Sequence, residues 1–177
     1  MDRAVELGRI RVVQAHARRV FSAAKIEQFP VDVSVVAESL KLTIVRRQFP
    51  ASERTSGALL RRPEGTVIVV NKSHPAVRRR FTVAHEIGHF VLHDDEVHVD
   101  RFRDDRSETG TDAKEVEANA FAAELLMPEA VLRTDIGALE LLAFDAAAQT
   151  QLAQEARRFG VSVQALTWRL SNLGLLR

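Results

Sequence analysis

The residues that could do chemistry are concentrated in one short segment, His85-Glu86-Ile87-Gly88-His89. Two histidines four positions apart lie on the same face of a helix, one turn from each other, so their imidazoles can hold one metal ion. Glu86 follows the first histidine and can reach a water molecule bound to that ion. Zinc peptidases combine imidazole ligands, a water molecule activated by the metal and a carboxylate that takes its proton. The segment therefore predicts His85 and His89 as zinc ligands and Glu86 as the catalytic base.

The helix that carries this segment is predicted to be buried. From Thr82 to Leu92 nearly every residue outside the motif is apolar, and a helix without a polar face belongs inside a core. Burying two imidazoles and a carboxylate is unfavourable unless each finds a partner, which a divalent cation can supply. The alternative is a core helix whose histidines only form hydrogen bonds. The presence of His85, Glu86 and His89 together favours the metal site. Gly88 weakens a helix, so its presence predicts the close approach of a neighbouring element.

A catalytic zinc ion usually keeps three protein ligands, and the third is not in the same helix. Asp95 stands ten residues after His85, where a longer zinc-protease motif has its third histidine. His93 continues the row of histidines, but three successive turns of one straight helix cannot converge on one small ion. We predict His93 at the rim of the site or at the helix C-terminus, as a possible oxyanion donor.

A second helix, predicted from Lys114 to Met127, supplies the better candidate. Glu115 and Asn119 share one of its faces with alanines that would let the backbone come close to the first helix. Glu115 is predicted as the third ligand in preference to Glu117, which points about 200° away. Asn119 is predicted to accept a hydrogen bond from the free N–H of a ligand histidine and so to set its tautomer. The alternative is an ordinary amphipathic helix with exposed glutamates.

Length and composition limit the class of protein. A chain of 177 residues that is 46% hydrophobic can bury one good core, and we predict an N-terminal helix at 1–29, a zinc metallopeptidase domain at 30–145 and a helical extension at 146–177 packed on it. The absence of cysteine excludes disulfides and thiolate metal sites. A net charge of +1 gives no long-range attraction to nucleic acid or to anionic membranes. The sequence shows neither a membrane-spanning stretch nor a signal peptide, so a cytoplasmic location is expected.

The predicted fold class is α+β, mostly helical with a small antiparallel or mixed sheet. A short helix up to Leu40, a strand from 42 to 46 and a hairpin of strands at 56–61 and 66–71 precede the motif helix. The hairpin could hold a substrate peptide as an added strand at its edge. Residues 94–112 contain eight acidic side chains and are predicted as a solvated loop.

The C-terminal residues predict two short helices, 151–159 and 163–172, joined by a turn at Gly160 with Ser162 as helix cap. Six apolar side chains are predicted to form their joint core: Leu152, Ala156, Val161, Ala165, Trp168 and Leu170. The pair is similar to a DNA-binding helix-turn-helix. Its positive charge is modest, however, and comes from Arg157, Arg158, Arg169 and Arg177. Direct nucleic-acid binding is therefore not favoured, and packing on the rest of the chain or on a partner is expected.

Three blocks of the chain resemble the ImmA/IrrE family of metallo-endopeptidases: RFTVAHEIGH at 80–89, EVEANAFAAELLMP at 115–128 and the tail from FGVS at 159–162 onwards. The resemblance implies a zincin-like (thermolysin-like) fold and a cytoplasmic bacterial or prophage-borne enzyme. It implies His85, His89 and Glu115 as ligands of one Zn²⁺ ion, with Mn²⁺ as an alternative, and Glu86 as the base. The substrate it implies is a helix-turn-helix transcriptional repressor, cut so that repressed genes are released.

Two other functions fit parts of the sequence. A metal-containing module could sequester the repressor without cutting it, although such a binder has no need of Glu86. A DNA-binding regulator could act through residues 150–175, although the near-neutral charge speaks against it.

Overall fold

Seven helices and four strands make up the part of the chain that a computed structural model describes, residues 3–50, 55–95, 97–101, 113–135 and 146–176. The helices are α1 (Arg3–Ala23), α2 (Val33–Ser39), α3 (Ala76–Leu92), α4 (Ala113–Leu126), α5 (Glu129–Asp135), α6 (Ala146–Phe159) and α7 (Val163–Asn172). The strands are β1 (Leu42–Arg47), β2 (Thr55–Arg62), β3 (Gly65–Asn71) and β4 (Val97–Arg101). The predicted class, mostly helical α+β with a small mixed sheet, is confirmed.

The sheet has the strand order β1-β3-β2-β4. The hairpin of β2 and β3 turns through Pro63 and Glu64, as predicted, and β1 lies parallel to β3 on the other side. Ile68 and Val69 of β3 point to opposite faces of the sheet, and both are buried. The central strand is therefore covered on both faces, as its unbroken apolar run predicts.

Strand β4 corrects the prediction of a solvated loop over residues 94–112. It pairs antiparallel with β2, with Val97 opposite Leu60. The alternation of Val97 and Val99 with polar residues is a strand signal, but the many acidic residues around it outweighed this short pattern in the prediction. Residues 96 and 102–112 lie outside the described part of the chain.

The sheet order also corrects the prediction that the hairpin binds a peptide at its edge. Strand β1 occupies the outer edge of β3, and β4 occupies the outer edge of β2. Backbone groups on those edges already form ladder hydrogen bonds, so no further strand can add to the hairpin. In the described sheet the outer strands are β1 and β4.

Helices α3 and α4 approach each other closely at Gly88. A Cβ atom on Gly88 would lie 3.1 Å from Ala118 Cα and 3.2 Å from the Ala118 carbonyl oxygen. Contacts this short would accept a Cβ atom only if a neighbour moved by a few tenths of an ångström, so glycine and alanine together set the distance between the two helices. The close approach that Gly88 and the alanines predict is present.

One core joins α1 to the rest of the described chain. The α1 side chains that face it, Val13, Ala17 and Val20, recur at helical spacing and are buried in the same cluster as Phe121 of α4. None of the helices in the described part is both long and apolar enough to span a membrane.

The two C-terminal helices are fastened to the rest of the chain by two arginines. Arg80 of α3 donates from Nε to the Gly160 carbonyl oxygen at 3.1 Å, at the turn between α6 and α7. Arg169 of α7 forms an ion pair with Glu124 of α4 and donates to the Met127 carbonyl oxygen at 3.3 Å. The pair therefore packs on the elements that carry the predicted metal ligands.

Helix α7 buries a different face from the one predicted. Trp168, predicted as core, is 66% exposed, whereas Leu166 is fully buried. Leu166, Arg169 and Leu170 form an alternative row at helical spacing. All three are buried, and Arg169 meets its carboxylate partner on α4. The other predicted core positions that the structure buries are Leu152, Ala156, Val161 and Leu170.

Candidate metal centre

Three predicted ligands meet in one cluster between α3 and α4. The Nε2 atoms of His85 and His89 lie 3.0 Å apart. The Glu115 carboxylate oxygens lie 3.4 Å from His85 Nε2 and 3.5 Å from His89 Nε2. Donor atoms that surround one zinc ion tetrahedrally at about 2.0 Å are about 3.3 Å apart. The spacing and the nitrogen and oxygen donors therefore fit a single small divalent ion.

The helices position these side chains simply. His85 and His89 lie on successive turns of α3 and are 4% and 1% exposed. Glu115 comes from the first turn of α4, and its side chain is 24% exposed. The imidazoles thus form the buried side of the cluster and the carboxylate forms its more accessible side.

Asn119 lies behind the His85 ring, one turn after Glu115. Its side-chain oxygen is 3.0 Å from His85 Nδ1. An amide oxygen can only accept, so Nδ1 of His85 carries the proton and the lone pair of Nε2 points into the cluster. The contact is of the kind predicted for Asn119.

His93 lies behind the His89 ring, where the chain leaves α3. The two Nδ1 atoms are 3.0 Å apart, and His93 Nε2 is 3.0 Å from Glu117 Oε2. Glu117 in turn forms an ion pair with Arg9 of α1. Both ring nitrogens of His93 are thus engaged on the side of the cluster away from the ligand atoms. This geometry does not favour the oxyanion donor suggested for His93.

Glu117 belongs to the surroundings of the cluster, although it is not on the face of α4 from which the sequence predicts Glu115 and Asn119. It points away from Glu115, and its partner His93 leaves α3 as the C-cap residue with extended backbone. Burial raises the pKa of the Glu117 carboxyl, but the hydrogen bonds from His93 and Arg9 and the charge of Arg9 lower it by more, so the net shift of the pKa is downward. Glu117 is therefore held as a carboxylate.

Glu86 is fully buried between α3 and the sheet. A Cβ atom on Gly57 of β2 would lie 3.2 Å from Glu86 Oε1 and 2.5 Å from Thr82 Cγ2. The missing side chain at Gly57 therefore lets β2 pack against this part of α3. A glycine inside a strand pattern often marks such an approach, and this signal could have predicted it.

Arg61 of β2 fixes the end of α3, a contact with no signal in the local sequence. Its guanidinium donates to the carbonyl oxygens of Phe90 at 3.1 Å, of Asp95 at 2.9 Å and of His93. A cation satisfies the unpaired carbonyl groups and favours the negative end of the helix dipole. Arg61 thus determines where the backbone of His93 lies.

Two of the four arginines that give the helix pair its modest positive charge form ion pairs within the protein. Arg169 is 5% exposed and pairs with Glu124, and Arg158 pairs with Asp135 at 2.7 Å and with Glu155 at 3.1 Å. Arg177 lies outside the described residues. The helix pair offers little positive charge for DNA.

Comparison with known families gives a match over most of the chain. The IrrE N-terminal-like domain, which defines a peptidase family, matches residues 37–171. The chain belongs to this family. All three cluster residues, Glu86 and Asn119 lie within the matched region, and the resemblance to the ImmA/IrrE family is confirmed.

Two relatives cover shorter stretches. The radiation response metalloprotease IrrE of Deinococcus radiodurans is 34% identical over 110 residues, which are 62% of this chain and 32% of that protein. An uncharacterized immunity region protein of Bacillus phage phi105 is 40% identical over 65 residues, 37% of this chain and 40% of that protein. This chain therefore matches less than half of the length of either relative.

The fold also occurs among solved structures. A transcriptional regulator of Mycobacterium tuberculosis superposes with a TM-score of 0.54 at 19% sequence identity, covering 90% of this chain and 46% of that one. At this identity the likeness describes the fold alone.

Proposed function

We propose that this protein is a zinc-dependent endopeptidase that cleaves a helix-turn-helix transcriptional repressor. The observation that carries the proposal is the convergence of His85, His89 and Glu115 at ligand distances, with the buried Glu86 next to the first of them. Membership of a peptidase family and the relative named as a metalloprotease support it.

The cluster and Glu86 have complementary roles in this proposal. A divalent ion held by His85, His89 and Glu115 would lower the pKa of a water molecule and polarise the scissile carbonyl. Glu86 accepts the proton of the attacking water and passes it to the leaving amine, first as general base and then as general acid. Nitrogen and oxygen donors suit Zn²⁺ and accept Mn²⁺.

Strand β4 is the place where a substrate peptide would bind. It pairs with β2, whose Gly57 lies against Thr82 and Glu86. Strand β4 therefore lies one strand spacing, about 4.8 Å, from the strand that contacts the proposed base, and a peptide added at its outer edge would lie about two spacings from that strand. An extended peptide could add to that edge through main-chain hydrogen bonds. A helix-borne motif packed on such a sheet supports the zincin-like architecture.

The choice of a repressor as substrate is supported by the phage relative. That protein is named as an immunity region protein, which favours a target among the regulators of phage genes. A transcriptional repressor as substrate would place the enzyme in the cytoplasm.

The experiment is incubation of the purified, zinc-loaded protein with a candidate helix-turn-helix repressor, chosen from any that is encoded beside its own gene. We expect two repressor fragments by mass spectrometry, and no fragments after a chelator has removed the metal. A complex that forms without fragments would favour the sequestering module. Salt-dependent binding of the protein alone to operator DNA would favour the DNA-binding regulator.

Gly88→Ala should weaken metal binding because the added Cβ would push α3 and α4 apart by a few tenths of an ångström. Alanine is favoured over glycine inside a helix by about 1 kcal/mol. This gain offsets the cost of moving the two helices, so the free energy of unfolding should change little. We expect zinc affinity about tenfold lower, measured by competition with a chelator. Gly8→Ala is the control, because a Cβ there meets nothing within 4 Å. Unchanged affinity in Gly88→Ala would show that the helix spacing does not set the ligand distances.

A further inference from the structure

The ligand histidine His89 is backed by three side chains that lead to another helix. His93 contacts His89, Glu117 contacts His93, and Arg9 of α1 contacts Glu117. We call His93 and Glu117 the backing pair. His93 is 9% exposed, and the Glu117 side chain is 15% exposed. These contacts are therefore largely shielded from solvent.

One arrangement of protons satisfies every contact of the backing pair. An imidazole that binds a metal through Nε2 carries its proton on Nδ1. His89 then donates from Nδ1 to His93 Nδ1, 3.0 Å away. A neutral His93 that accepts there has its proton on Nε2, and it donates to Glu117 Oε2 at 3.0 Å. The reverse tautomer of His93 would place a lone pair against the carboxylate.

We propose that His93 and Glu117 are positioning residues, which hold His89 in the tautomer and orientation that present its Nε2 atom to the metal. This inference rests on the proposed metal site. It also assigns His93 a role that the row of histidines on α3 does not predict.

The placement of the backing pair argues against a purely structural role. The His93 backbone is fixed by Arg61, which donates to its carbonyl oxygen. The His93 ring then points to Nδ1 of His89, the ring nitrogen that faces away from the cluster. At His85, the other histidine of the cluster, the side-chain oxygen of Asn119 accepts from Nδ1 at 3.0 Å. Helix α4 thus supplies the third ligand, the acceptor for His85 and the acceptor for His93, which in turn accepts from His89.

The test is the affinity of the full chain for Zn²⁺, measured by competition with a chelating indicator. We expect His93→Ala to bind Zn²⁺ about 10- to 100-fold more weakly and Glu117→Ala about tenfold more weakly, as is typical when a partner of a ligand histidine is removed. His93→Asn should recover most of the affinity, because its amide oxygen can accept from His89 Nδ1–H. Glu129→Ala removes a carboxylate that pairs with an arginine far from the cluster, and it should bind like the wild type.

Nitrogen-15 NMR of the zinc-loaded protein gives a second measurement. The imidazole shifts should show the proton of His93 on Nε2 in the wild type. The population of this tautomer should fall in Glu117→Ala, because only the contact with His89 then favours it. A residue that only supports the fold would leave the His93 tautomer unchanged when Glu117 is replaced.

The outcomes separate this inference from the proposed function. If wild type binds zinc, and folded His93→Ala and Glu117→Ala bind it as tightly, the positioning role is wrong and the metal site stands. If wild type takes up no divalent metal, the proposed function itself fails. Should His93→Ala not fold, His93→Asn and Glu117→Ala decide the question.

Discussion

Glu86→Gln should abolish repressor cleavage and leave the metal in place. The amide has nearly the shape of the carboxylate, so it fits the same fully buried position between α3 and the sheet. It cannot accept the proton of the attacking water, and loss of a positioned base lowers a rate by about 10²–10⁴-fold. The proposed ligands His85, His89 and Glu115 are untouched, so zinc affinity should stay within a few-fold of the wild type.

Two further measurements and one matched variant make this result specific. Metal content should be equal in the wild type and in Glu86→Gln, and circular dichroism should show the same helix content. His89→Ala is the matched variant one turn along α3, and it should lose both the metal and the cleavage. Cleavage by Glu86→Gln at an undiminished rate would remove Glu86 from the proposed mechanism, whatever the metal does.

The parts of the site that the sequence could predict are those carried by a single helix. The helical period alone determines that His85 shares a face with His89, and that Glu115 shares a face with Asn119. The two faces meet in the structure because Gly88 lets α3 and α4 come together. Local periodicity was sufficient for these positions.

The parts that the sequence could not predict depend on contacts between distant segments. Arg61 ends a helix whose last turn is about thirty residues later, and Glu117 reaches His93 only because the chain leaves α3 there. Residues 97–101 form strand β4 because they pair with the edge of β2, a segment far away in the sequence. No local pattern in the chain encodes such partners, since tertiary contacts decide them.

Breaking the ion pair of Arg169 and Glu124 should greatly lower the free energy of unfolding. Both side chains are almost fully buried, and Arg18 of α1 donates to the same carboxylate at 3.0 Å. Burial lowers the pKa of the Arg169 guanidinium, which Glu124 opposes, and an arginine remains charged under all ordinary conditions. Arg169→Met would leave the Glu124 carboxylate buried with only Arg18 as partner. We expect the free energy of unfolding to fall by about 3–5 kcal/mol, measured by urea denaturation.

A double variant separates the cost of an unpaired charge from the loss of packing. In Arg169→Met with Glu124→Met, both buried charges are gone and Arg18, whose side chain is 49% exposed, can be hydrated. The double variant should therefore be more stable than Arg169→Met, because replacing a whole buried pair with apolar groups is often neutral. Arg133→Met, which breaks an exposed pair with Glu129, should change stability by about 1 kcal/mol or less. Glu124 lies nine residues, about 13 Å, along α4 from Glu115. The folded fraction of Arg169→Met should thus keep its zinc affinity. A double variant that is no more stable than Arg169→Met would show that side-chain packing, and not charge, holds α7 against α4.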